Sequence, residues 1–280
     1  MTDQPLAEPF FSPSSVRIGD YTVFGLSDGL FRLDGGAMFG VVPKVLWSQV
    51  SPADELNRID LGLHSVLILG QGRAILVETG LGSRHDATFA DRFAVRRPPT
   101  LADSLAAVGL RPADIDFVVN THLHWDHAGG NVLTLPDGTL APAFPNALYV
   151  VQRADWEEAT RPNERNQGSY RADDFRPIAE LGRLRLVDGD LELSAGVHLE
   201  RVGGHTRGSQ TARVRSGGAT FVFLGDLVPT SRHLEYAWLM SYDLYPVEVL
   251  EQKKRLLRQA AAEDWILAFP HDPEILEAQE

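Results

Sequence analysis

The sequence predicts an α/β protein in which two β-sheets lie face to face between layers of helices. Short β-branched and leucine-rich runs bounded by Gly outnumber the stretches with helical periodicity. Those helical stretches fall in both halves of the chain, which argues for a sandwich and against a doubly wound parallel sheet. The 280 residues are 44% hydrophobic, ample for one large core.

Residues 1–15 read as an acidic, Pro-rich arm, with Phe10 and Phe11 as anchors against the body or a second subunit of a homodimer. Residues 16–280 then form one domain. VRIGDYTVFGLSDG, HSVLILG and RAILVETG carry strand patterns, and DGGAMFGVVPKVLWSQ between the first two reads as a Gly-rich loop. TLADSLAAVGL changes period. Leu101, Leu105 and Val108 recur at helical spacing, with Thr100 as N-cap and Gly109 as stop. DIDFVVNTH returns to strand, followed by strands in ALYVV, RLRLVD, VHLERVGG, QTARVRS, ATFVFLGD and DWILAFP. ADWEEAT and the stretch from Val247 to Ala262 read as helices.

Bulk properties exclude several chemistries. The chain has no cysteine, so disulfides, thiolate metal sites and thiol nucleophiles are absent. A net charge of −12 argues against a nucleic-acid partner, whose usual footprint is a basic patch. No apolar run approaches the ~18 residues of a membrane span, and the N-terminus lacks the basic and apolar regions of a secretory signal. The expectation is a cytoplasmic protein.

The chemistry concentrates at THLHWDHAGG. His122, His124 and Asp126 alternate directly after a strand, so in extended backbone all three would face one side. His127 follows as the chain turns at Gly129 and Gly130. Imidazole and carboxylate at this density suit zinc and similar metals. Three further segments add to it: VGGHTRGSQ carries His205 in a Gly-flanked turn, FVFLGDLV ends an apolar strand on Asp226, and AFPHDP presents His271. An acid ending an apolar run calls for a partner or a metal.

Together these segments resemble the metallo-β-lactamase superfamily, in order, over about residues 16–272. The resemblance implies the αββα sandwich of the metallo-β-lactamase fold. It implies one metal held by His122, His124 and His205, a second by Asp126, His127 and His271, and Asp226 bridging the two. Zinc is the first expectation, with iron or manganese as alternatives. His64, His85 and His198 fall outside this set, as does His233, which lies near Asp226 in sequence.

The finer likeness is to the N-acyl homoserine lactonase and organophosphate-hydrolase-like group. It implies attack by a metal-bridging hydroxide on a lactone, an ester or a phosphotriester, because two cations lower the pKa of bound water to ~7. Asp126 is the expected catalytic proton shuttle. Met38, Phe39, Trp47, Trp238 and Met240 are the expected apolar wall, for a small-molecule substrate with an acyl or aromatic part. Two departures from the family pattern stand out. Glu78 occupies a position where Asp usually supports a ligand histidine, and Leu227, Val228 and Pro229 follow Asp226 where lactonases often carry Tyr. Tyr170, Tyr242 and Tyr245 are the available phenols. The motif is also that of glyoxalase II-like thioesterases and of mononuclear-iron, persulfide dioxygenase-like oxidoreductases.

Overall fold

The computed structural model describes residues 15–273. The predicted arm lies outside these residues, except for Ser15, which opens the first strand. The Phe10–Phe11 subunit contact therefore also lies outside them.

One sheet begins with β1 (Ser15–Ile18), β2 (Tyr21–Asp34), β3 (Arg58–Gly70) and β4 (Arg73–Val77), paired antiparallel in that order. β5 (Phe117–Val119) adds parallel to β4. A small hairpin, β6 (Val132–Thr134) and β7 (Leu140–Pro142), stands apart, and β8 (Leu148–Gln152) and β9 (Leu184–Val187) complete the first sheet in parallel. The second sheet contains β10 (Leu191–Ser194), β11 (Val197–Arg201), β12 (Gln210–Ser216), β13 (Ala219–Phe223) and β14 (Ile266–Ala268).

The two-residue period of the strands builds the layers. Val66, Ile68, Ile75 and Val77 point inward and meet Val214, Phe221 and Phe223 of the opposite sheet in one buried cluster. Their neighbours Leu67 and Leu76 point outward, onto Leu101 and Leu105 of the helix Leu101–Ala107. Val222 and Leu267 point out of the second sheet, onto Val249, Leu256, Leu257 and Ala260 of the helix Pro246–Glu263. The αββα sandwich follows. Thr100 caps the first helix as expected, and Asp103 returns the bond to complete a capping box. No helix among the described residues is long and apolar enough to cross a membrane.

Two local expectations need correction. The segment read as a Gly-rich loop forms two short helices, Gly35–Phe39 and Lys44–Trp47. The Asp34 side chain accepts from the Ala37 amide at 2.8 Å and starts the first, and Pro43 precedes the second. The strand read over DIDFVVNTH is also shorter, ending at Val119, and the extended segment expected after it turns at His124, the N-cap of a one-turn helix, Trp125–Ala128. Asp126 therefore reaches its neighbours from a helical turn and not by strand alternation.

His233 holds this architecture together. It is fully buried, stacks on Phe39 at 4.6 Å, and joins Thr230 Oγ1 at 2.7 Å to the Met38 carbonyl at 2.9 Å. Burial pushes its pKa down from 6.5 to about 3. The unfolded chain then binds a proton below pH 6.5 that the folded chain refuses, so this contribution is fully present above pH 6.5 and is lost as the pH falls toward 3. We expect about 2 kcal/mol of destabilisation from this group between pH 6.5 and 5. Denaturant melts of His233→Asn should show lower stability at neutral pH and a pH profile flatter by about one proton over that range.

Candidate metal centre

Every element bearing a candidate ligand delivers it to the same edge of the sandwich. His122 follows β5, His205 follows β11, Asp226 sits on a 3-10 turn, Gly225–Leu227, beyond β13, and His271 follows β14. Asp226 was expected to end its strand. The strand instead stops at Phe223 and the turn carries the acid away from the inter-sheet core.

The loops are fixed by buried polar contacts. Asp28 lies at an irregularity in the β2–β3 register and accepts from the amides of Leu81, Gly82 and Leu101 at 2.9, 3.0 and 2.9 Å. Burial works to raise its carboxyl, opposed by the adjacent Arg97 guanidinium that pairs with it. This hub holds the turn after β4 against the His127 loop, where the Thr79 amide donates to the His127 carbonyl at 2.9 Å. Gly80 is required in that turn. Its φ is +66°, and a Cβ there would lie 2.5 Å from Asp28 Oδ2.

The structure brings all seven sequence-predicted residues together. Three sets each have candidate ligand atoms within 4.8 Å of one another: His122, His124 and His205; His122, His127 and Asp226; and Asp126, His127 and His271. Asp226 stands between them. Its Oδ2 is 3.3 Å from His205 Nε2 and 4.0 Å from His122 Nε2, and its Oδ1 is 3.4 Å from His127 Nε2 and 3.2 Å from His271 Nε2. Asp126 Oδ2 is 3.7 Å from both His127 Nε2 and His271 Nε2.

For three of the five rings an outer partner fixes which nitrogen faces inward. His205 Nδ1 donates to Asp243 Oδ1 at 2.9 Å, and His271 Nδ1 donates to the Gly62 carbonyl at 2.8 Å. His127 Nδ1 lies 3.4 Å from Glu78 Oε2, while Glu78 Oε1 accepts from the Thr121 amide at 2.7 Å. Glu78 is buried, with its backbone in the left-handed region at φ +69°. In a neutral ring whose outer nitrogen donates, the inner nitrogen is a bare lone pair. His127 Nε2 and His271 Nε2 then face each other at 3.1 Å, and His205 Nε2 faces His124 Nδ1 at 3.1 Å, where the Nε2 of His124 is itself buried without a partner. His122 Nε2 is buried with no hydrogen-bond partner. Lone pairs converging at such distances repel unless cations lie among them, and the nitrogen–carboxylate donor set fits zinc-like ions.

The electrostatics agree. Burial works to raise Asp226, yet the imidazoles of His127, His271 and His205 outweigh it and hold the carboxyl well below its usual range. Burial, reinforced by neighbouring imidazoles, pushes His122 and His124 well down. Burial works to lower His127 and His205 as well, but Asp226, with Asp126 and Glu78 beside His127 and Asp243 beside His205, outweighs it and raises both. The ionised carboxylate is therefore shared by two neutral rings and two that favour a positive charge.

Asp243 was not visible in the sequence, being 38 residues beyond His205 with no motif around it. Removing such a hydrogen-bonded outer partner typically weakens metal binding 10–100-fold. Asp243→Ala is expected to lose one metal at a chelator concentration that the parent protein tolerates, measured by titration against a metal-sensitive dye.

A cavity of about 320 Å³ opens above Asp226. Met38, Phe93, Trp125 and Met240 form its apolar wall, and Tyr242 and Arg165 bring polar groups. Met38 and Met240 were expected here, whereas Phe93 and Arg165 were not. Phe39, Trp47 and Trp238 are corrected from wall to support. Phe39 stacks on Trp47 at 5.5 Å and meets Trp238 edge-on at 5.4 Å, in the layer behind Met38. Of the phenols, only Tyr242 lines the cavity. Tyr170 is buried against His124, and the Tyr245 hydroxyl meets Arg207 at 3.2 Å outside it. His64 is structural, with Nε2 2.6 Å from the Asp272 carbonyl.

Residues 59–271 match the family model of the Metallo-beta-lactamase superfamily. An N-acyl homoserine lactonase from a Bacillus species is 28% identical over 228 residues, covering 77% of this chain and 83% of the relative. A probable metal-dependent hydrolase from Staphylococcus aureus superposes with a TM-score of 0.86 at 33% identity, covering 92% of this chain and 91% of that one. A dizinc quorum-quenching lactonase, solved with an N-acyl homoserine product, superposes with a TM-score of 0.75 at 20% identity, covering 92% of this chain and 90% of that one.

Proposed function

Because the chain belongs to the Metallo-beta-lactamase superfamily, we propose that it is a binuclear metallohydrolase, with zinc the first candidate, that opens lactones or cleaves related esters. The observation that carries this reading is the apolar-walled cavity seated directly over the paired histidine and carboxylate clusters. His122, His124 and His205 would hold one ion, Asp126, His127 and His271 the other, and Asp226 would lie between the two. Held there, two such ions would lower the pKa of a bound water to ~7 and polarise an ester carbonyl.

The chain's own groups do the rest. The wall of Met38, Phe93, Trp125 and Met240 takes the acyl part and excludes water from the reacting carbonyl. Burial pushes the Tyr242 phenol up to about 12, so it stays protonated at neutral pH and donates a hydrogen bond to the substrate. Asp126 lies at the cavity floor within reach of the reacting atoms and passes the proton from the attacking water to the leaving alkoxide. The lactonase relatives support a lactone as substrate, and the wall supports an acyl chain on it. Hydrolysis of N-acyl homoserine lactones with acyl chains of graded length tests the reading. We expect KM to fall as the chain lengthens to fill the cavity. Turnover of thioesters or phosphotriesters alone would overturn it.

A further inference from the structure

A second pocket, of about 440 Å³, lies outside the metal centre and carries the opposite electrostatic sign to the protein as a whole. Arg84, Arg92 and Arg171 line it, together with His85, Asp86 and Phe89. Only Arg84 of the three is ion-paired, to the buried Asp174 at 2.6 Å. Among the described residues, Arg92 and Arg171 have no carboxylate within ion-pair distance, although acids outnumber bases 38 to 26 in the chain. Asp86 is committed elsewhere, its Oδ1 accepting from the Phe89 amide at 2.7 Å.

Two of its arginines are held in place, Arg84 by Asp174 and Arg171 by Phe89, while Arg92 is exposed to solvent. The Arg171 guanidinium lies 4.2 Å over the Phe89 ring, which fixes its plane and leaves its edge for a planar or tetrahedral oxyanion. Arg84 Nε and His85 Nδ1 are both buried without a hydrogen-bond partner. A buried donor left unsatisfied costs about 1–3 kcal/mol, so unpaired polar atoms and unpaired cations in one concavity point to a ligand that supplies what the chain does not.

We propose that this pocket binds a phosphate group, and that its size favours a small phosphate monoester over the free ion. Its volume exceeds a single water's share of ~30 Å³ by about an order of magnitude, which leaves room for an organic part beside the anion. The site reports to the metal centre through aromatic contacts. Phe89 meets Trp125 edge-on at 5.1 Å, and Trp125 also walls the metal cavity beside Asp126.

The test is calorimetric titration of the metal-loaded protein with inorganic phosphate and with glycerol 3-phosphate, for the parent chain and for Arg92→Ala/Arg171→Ala. Phosphate can also ligate the metals, so the parent should show two binding components, of which the variant keeps only one. We expect the lost component to weaken at least tenfold, and to be accompanied in the parent alone by a change in tryptophan fluorescence. Tighter binding of glycerol 3-phosphate than of phosphate assigns an organic ligand, and the reverse order assigns the free ion. Identical isotherms for parent and variant with both probes would overturn the proposal.

Discussion

Asp226→Ala is expected to lose metal and activity together, with kcat/KM falling by well over 100-fold. One buried carboxylate lies within 3.4 Å of three imidazole nitrogens and 4.0 Å of a fourth, so no other side chain links the two clusters in this way. Its removal leaves converging lone pairs with a single remaining carboxylate, Asp126, to offset the charge of two cations. Loss of an outer partner alone costs 10–100-fold in metal affinity or activity, and loss of a central one costs more. Elemental analysis beside initial rates reads both effects. Unchanged metal content with lost activity would assign Asp226 to catalysis and not to binding.

Asp126→Asn should behave differently. Asn keeps an oxygen that can face a metal but cannot carry the proton from water to the leaving alkoxide. General acid–base groups contribute 10²–10⁴-fold, so kcat should fall by about that factor while KM changes little. The site's other residues remain in place, so metal content should stay close to that of the parent. The discriminating readout is the leaving group. The variant's defect should shrink for aryl esters, whose leaving phenolates need little protonation, and persist for alkyl lactones. An equal loss across leaving groups would rule out proton transfer as the role of Asp126.

Much of this arrangement was legible in the chain because metal binding forces chemistry into local pattern. His122, His124, Asp126 and His127 stand within six consecutive residues, and the later His205, Asp226 and His271 each follow an apolar strand at a conspicuous polar break. The layers were legible for a similar reason, since strand alternation in stretches such as Val66–Ile68 decides which sheet face each residue occupies. What escaped were residues whose role depends on distant partners. Asp243 reaches His205 from the loop before a helix, and Asp28 acts from within a strand on amides more than 50 residues away. The helix Gly35–Phe39 escaped because its two glycines disfavour helix, while the Asp34 cap and burial of Met38 and Phe39 enforce it. His85 falls outside the metal-ligand set in the sequence, and only the fold sets it beside three arginines.

Metal content of the purified chain, measured by elemental analysis before and after exhaustive chelation, tests the central claim most directly. About two divalent ions per chain, with lactone hydrolysis abolished by the chelator and restored by adding zinc, is the predicted result. A chain that holds no metal, or that hydrolyses lactones equally well after chelation, would contradict it.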